Sequence, residues 1–195
     1  MHTVFFDLET GGVEPKHPTI QIAAIAVDAM GDEVAHFEQK IAFREADADP
    51  EALKLNHYEP AEWKNAVTPG RAAGLFAGFV KPYSSVQMVS KRTGQPYQVA
   101  KLAGYNALTF DFPRLKALFG TEFFPCSYLV RDVLQRVLFY FDERPMVAQP
   151  ENFKLSTIAE YFHLSTDGAH DALADARLSA AIARLLAEEV SLGRW

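Results

Sequence analysis

Residues 2–8 (HTVFFDL) carry apolar side chains on both alternating faces, the pattern of a central strand covered on both sides. Gly11-Gly12, Pro15 and Pro18 then break the run with a loop. Residues 20–27 (IQIAAIAV) predict a second strand, Gly31-Asp32 a hairpin turn, and 34–43 a third strand. Segments 50–57 and 68–80 read as helices, the second with Pro69 in its first turn. Residues 84–98 are polar, include Gly94 and Pro96 and show no period, so they read as a loop or an excursion. A short strand at 102–106, a helix at 109–119, a strand at 123–129 and a helix at 132–141 follow. Residues 144–152 read as loop, 155–162 as a helix, and 171–190 as a long helix rich in alanine and leucine. Three strands followed by strands alternating with helices predict an α/β sandwich on a mixed sheet. With no internal repeat, linker or low-complexity segment, residues 1–195 are expected to form one domain.

The acids stand out against this pattern. Side chains alternate along a strand, so Asp7 and Glu9 point the same way at the end of the first one. Two like charges beside an apolar strand are costly unless a cation or a proton neutralises them, although acids at a strand end also occur facing water. On the last helix Asp175 shares its face with Leu178, Ile182 and Leu186, which places it on the stripe expected to be buried. There it needs a basic partner, a cap or a metal. Asp111 opens the helix after Gly104-Tyr105-Asn106, where it is either a first-turn acid favoured by the helix dipole or part of a site. Asn106 reads equally as a turn residue. His170 stands just before the last helix, either as a first-turn histidine or as a neighbour of Asp175, and Asp171 reads as the helix cap. If the helices cover the sheet, the four acids converge at one end of it. Such an oxygen-only donor set suits Mg²⁺ or Mn²⁺, and two such ions are the usual device for in-line phosphodiester displacement.

Composition changes this picture in two ways. The single cysteine, Cys126, excludes an internal disulfide and a cysteine zinc cage and fits a reducing, cytoplasmic compartment. No uncharged apolar run reaches the ~18–20 residues of a membrane span, and the acidic first nine residues do not look like a secretion signal. The net charge of −6, from 19 Lys+Arg against 25 Asp+Glu, argues at first sight against a nucleic-acid partner. It is unevenly spread: residues 63–110 hold six bases and no acid. That stretch is either a contact surface for a polyanion or ordinary solvated surface.

The motifs then form a known set. The chain resembles the DEDDh family of 3′→5′ exonucleases, the proofreading-exonuclease group of the ribonuclease H-like superfamily. The resemblance rests on Phe6-Asp7-Leu8-Glu9-Thr10-Gly11, on Gly104-Tyr105-Asn106 with Phe110-Asp111, and on His170-Asp171-Ala172-Leu173-Ala174-Asp175-Ala176. Lys154-Leu155-Ser156-Thr157-Ile158-Ala159 is similar to the family's lead-in to the third motif. It implies a ribonuclease H-like fold with a mixed five-stranded sheet, three strands antiparallel and the rest parallel, flanked by helices. It also implies that Asp7, Glu9, Asp111 and Asp175 hold two divalent cations, Mg²⁺ or Mn²⁺, and that His170 is the general base. Leu8, Thr10 and Gly11 are expected against the terminal nucleotide, Asn106 near the scissile phosphate, and Lys91 and Arg92 along the strand.

The expected activity is removal of nucleoside 5′-monophosphates from the 3′ end of single-stranded or frayed DNA, with room for a polymerase or repair partner. Two other readings stand beside it: an exonuclease acting on RNA or oligoribonucleotides, and a non-catalytic nucleic-acid-binding or polymerase-associated module. Gly12, an extra glycine, is expected to loosen the loop beside the 3′ nucleotide. Two bound divalent ions bring the charge of the loaded protein to about −2.

Overall fold

The computed structural model describes residues 1–166 and 171–191. Its main sheet has five strands: β1 (Thr3–Thr10), β2 (Thr19–Val27), β3 (Glu33–Lys40), β6 (Leu102–Gly104) and β7 (Arg131–Asp132), in the order β3-β2-β1-β6-β7. β1–β2 and β2–β3 pair antiparallel, whereas β1–β6 and β6–β7 pair parallel. This is the mixed sheet, three strands antiparallel and then parallel ones, that the sequence predicted. A second sheet, β4 (Ser84–Val89) with β5 (Pro96–Ala100), stands apart.

The apolar run of β1 supplies both sides of the sheet. Val4, Phe6 and Leu8 enter one core with Ile22 and Ala24 of β2, beneath α2 (Pro69–Val80) and α3 (Asp111–Phe119). Phe5 enters the other with Ala23 and Ile25, beneath α4 (Val133–Asp142), α5 (Leu155–Tyr161) and α6 (Ala172–Ser191). Burying side chains of this size stabilises the fold by roughly 1.5–3 kcal/mol each. By the same alternation Asp7 and Glu9 face α6, and Asp7 is paired with Ala23.

Several helices start at side-chain caps, although α3 and α5 do not. α1 (Pro50–Leu55) begins with Pro50 after Asp49, whose carboxylate accepts the Glu51 N–H. The Asp171 carboxylate accepts the Leu173 and Ala174 N–H groups, both at 3.1 Å, and so caps α6 as its sequence position suggested. No helix among the described residues is long and apolar enough to cross a membrane.

Two segments differ from expectation. Residues 84–98 form most of a hairpin rather than a loop. Its period of two is present but brief: Val86-Gln87-Met88 and Tyr97-Gln98-Val99 alternate over three residues each, too short a run to stand out, and Gly94 turns the chain between them at φ 68°. The predicted strand at 123–129 reduces to a single bridge, Cys126 to Ala100, and the pairing strand comes later, at Arg131–Asp132. The apolar residues that suggested it are partly exposed: Phe123, Tyr128 and Leu129 lie on the surface.

Candidate active site

The site is built where β1 and β6 end. One carboxylate oxygen from each of Asp7, Glu9 and Asp175 lies within 4.8 Å of the others. α3 starts at this end of the sheet, so Asp111, its first residue, is buried beside Asp7. A cavity of about 490 Å³ opens here, lined by Asp7, Leu8, Asn106, Asp111, Lys154 and Asp175, among others. Asp175 is half-buried rather than sunk in the core, while Leu178, Ile182 and Leu186 on its face are buried as predicted.

These acids repel one another. Burial, and then the charges of Asp111, Glu9 and Asp175, hold the Asp7 carboxyl well above its ordinary range. Burial and then Asp175 push Glu9 up to about 7. Burial raises Asp111 to about 8, against the pull of the Leu8 backbone N–H and the Arg114 charge. Among the described residues no Lys or Arg forms an ion pair with Asp7 or Glu9. Adjacent carboxylates with hard oxygen donors, whose charges raise one another's pKa, fit a divalent cation.

The backbone around the acids is held by its own hydrogen bonds. Thr10 Oγ1 donates to the Gly12 carbonyl at 2.9 Å, and Asn56 Nδ2 donates to the Thr10 carbonyl at 2.9 Å. Gly11 is pinned between neighbours: a Cβ there would come within 2.7 Å of Ala48 Cβ. Gly12, at φ 146°, would place a Cβ 2.0 Å from His17 Nδ1. The second glycine thus takes a backbone conformation that L side chains rarely adopt, where the loop turns back onto His17.

On the other side of the cavity, Asp132 organises the turn that carries Asn106. Its carboxylate accepts the Asn106 N–H at 3.1 Å, the Leu108 N–H at 2.9 Å and, as cap of α4, the Leu134 N–H at 3.0 Å. This holds Asn106 in the left-handed region, φ 53°, at the mouth of the cavity. The Thr109 hydroxyl donates to Asn106 Oδ1 at 2.7 Å, which leaves the amide Nδ2 to face other partners.

The structure thus brings together Asp7, Glu9, Asp111 and Asp175, with Leu8 and Asn106 in the cavity wall and Thr10 and Gly11 in the loop beyond. It does not bring Lys91 and Arg92 there. They sit in the turn of the β4–β5 hairpin, which joins the sheet at the start of β1, where the Val4 N–H donates to the Lys101 carbonyl. The position of His170 lies outside the described residues. Sequence reasoning gave no role to two groups: Lys154, a cation in the cavity wall, and Asp132, read only as the start of a helix. An Asp directly before a helix signals a cap, but nothing local shows that it also reaches the Asn106 turn 26 residues away.

A family model described as "Exonuclease" (RNase T) matches residues 4–183. The chain belongs to the exonuclease family. Its order of acids, Asp7 and Glu9, then Asp111, then Asp175, is that of the DEDDh type of 3′→5′ exonuclease. No curated protein matches the sequence. Among solved structures, this exonuclease is similar to exonuclease I, with a TM-score of 0.77 at 20% identity over 96% of this chain and 41% of that one. Exonuclease I of E. coli in complex with a dT13 oligonucleotide matches at TM-score 0.75 and 21% identity, over 99% of this chain and 42% of that one. The zinc-bound complex of the E. coli enzyme with single-stranded DNA matches at 0.75 and 22%, over 99% and 41%. The chain therefore spans about two fifths of the length of these neighbours, and at these identities they show the fold.

Proposed function

We propose that residues 1–195 act as a single exonuclease domain that removes nucleoside 5′-monophosphates one at a time from the 3′ end of single-stranded DNA, using two divalent cations. The observation that carries this reading is the meeting of Asp7, Glu9 and Asp175 within 4.8 Å, with Asp111 beside Asp7. Single-stranded DNA is favoured over RNA because the fold's neighbours were solved with dT13 and dA16 oligonucleotides. A non-catalytic binding module has no use for mutually repelling, buried carboxylates.

The four acids would hold Mg²⁺ or Mn²⁺; so bound, the ions supply positive charge against the phosphate and lower the pKa of a bound water. The chain's own residues do the rest. Leu8 lies against the terminal base, and the Thr10–Gly11 backbone lines the terminal sugar. Asn106 Nδ2 and Lys154 Nζ meet phosphate oxygens as donors, Lys154 offsetting part of the negative charge the acids present to the strand. His170, the histidine of the third motif, takes the proton from the attacking water.

The test uses 3′-labelled and 5′-labelled single-stranded DNA and RNA of one sequence, with Mg²⁺, Mn²⁺ or chelator. The expected result is metal-dependent release of mononucleotides from the 3′ end of DNA, lost in Asp7→Ala. Degradation of RNA alone would reassign the substrate, and no degradation of either polymer would sink the proposal. His170→Ala is expected to slow turnover by roughly 10²–10⁴-fold while leaving metal binding intact.

A further inference from the structure

The edge of the sheet leading away from the acids carries a different chemistry. Tyr97 of β5 packs edge-on against Phe123, with centroids 5.7 Å apart. Phe123 and Tyr128 are each 63% exposed. The segment containing them runs parallel to β5: the Ala100 N–H donates to the Pro125 carbonyl at 2.9 Å and the Ser127 N–H to the Ala100 carbonyl at 2.8 Å. Phe123 therefore lies beside Tyr97 and Tyr128 beside the start of β6, and the chain then enters β7, with Arg131 opposite Ala103. Lys101 lies close enough to Arg131 for the two charges to oppose each other. Lys91 and Arg92 occupy the hairpin turn at the far end. Among the described residues none of these four cations forms an ion pair.

This row is continuous with the site. β7 ends at Asp132, whose carboxylate holds the Asn106 turn at the cavity mouth. From Tyr97 to Gly104 the chain is almost wholly extended, roughly 23 Å at ~3.3 Å per residue. That matches about seven stacked nucleotides at ~3.4 Å each. Exposed rings between unpaired cations supply the two contacts a sequence-tolerant single-strand surface needs, stacking and phosphate neutralisation. An acidic protein would meet the same cations, but it would have no reason to follow a row that ends at the carboxylates.

We propose that this edge, from Arg131 past Tyr128 and Phe123 to Lys91 and Arg92, is a track for the 5′-ward part of the single strand whose 3′ end lies among the acids. The inference rests on the reading of that site as a 3′-end exonuclease. It makes length a determinant of the substrate: a strand of two or three nucleotides fills the cavity alone, while a longer one also engages the track and stays bound between cuts.

The test compares the wild-type chain with K91E/R92E and F123A/Y128A, using single-stranded DNA of about three and about 20 nucleotides. Anisotropy of the longer, labelled strand in chelator reads track binding without hydrolysis, and KM in Mg²⁺ reads the length preference. The wild type is expected to prefer the longer strand by about tenfold or more, and each double variant to erase most of that preference. K91E/R92E is also expected to reduce the slope of log K against log salt by about 1.4, the release expected from two phosphates. A length preference and salt slope unchanged in both variants would overturn the track and leave the surface to a protein partner. So would a wild type that binds both lengths equally. Length-dependent binding that is sensitive to the variants, without hydrolysis of any strand, would instead uphold the track and defeat the exonuclease reading.

Discussion

Two glutamates on one sheet have opposite surroundings. Glu33, on the edge strand β3, receives both Nε and Nη2 of Arg177 at 2.9 Å, and that guanidinium lowers its pKa. Glu9, two strands away on β1, is buried, is flanked by Asp7 and Asp175, and is raised to about 7. The first acid is neutralised from within the fold. The second is left with a deficit of positive charge that only a proton or an external cation makes good. The difference teaches where to look for function in an acidic protein: the informative carboxylates are those the fold has declined to pair.

The sharpest way to break the comparison is Asp7→Asn, which keeps the shape and removes one charge from the site. Turnover is expected to fall by about 10³-fold or more while the protein stays folded, as read by release of labelled nucleotide and by circular dichroism. Next in size is Asp132→Ala, which frees the Asn106 and Leu108 N–H groups without touching the acids. A loss of about 10–100-fold in kcat/KM is expected, with metal affinity changed little, because the turn is displaced rather than the carboxylate cluster. Equal losses in metal binding and turnover would show that Asp132 acts on the acids themselves.

A third effect is on stability. The raised carboxyls of Glu9 and Asp111 hold protons in the folded chain up to about 7 and 8, while the unfolded chain releases them near 4.5 and 3.8. In that window the folded state binds more protons, so the stability of the metal-free protein falls as pH rises from about 4 to about 8. Thermal melts in chelator across that range check the sign, and Mg²⁺ is expected to flatten the decline. Glu9→Gln is expected to stabilise the metal-free protein at pH 8 by ~2 kcal/mol while abolishing activity. The smallest expected effect is that of Glu33→Gln: no more than ~1 kcal/mol of stability, with turnover unchanged, since its ion pair is partly exposed and remote in role.

Much of this was legible in the chain before folding. The alternation in residues 2–8 predicted a doubly covered strand with Asp7 and Glu9 on one side, and the period of α6 put Asp175 in line with Leu178 and Ile182. Both are local geometry, set by two- and 3.6-residue repeats. The hairpin was not legible, because each of its strands alternates over only three residues, Val86-Gln87-Met88 and Tyr97-Gln98-Val99, flanked by Ser84, Ser85 and Pro96 that read as loop. Nor was the second role of Asp132, which depends on β6 and β7 lying side by side.

Local patterning by itself determined which way Asp7, Glu9 and Asp175 face, the cap at Asp171, and the order of motifs that marks the family. What only the tertiary structure decided is proximity: that Asp111 arrives beside Asp7, that Lys154 joins the cavity wall, and that Lys91 and Arg92 stand away from the acids, in the turn of the β4–β5 hairpin. The reason is physical. Periodicity fixes the direction of a side chain relative to its own element, whereas charge repulsion, burial and the reach of a strand depend on distances between elements, which only the packed sheet and its helices set.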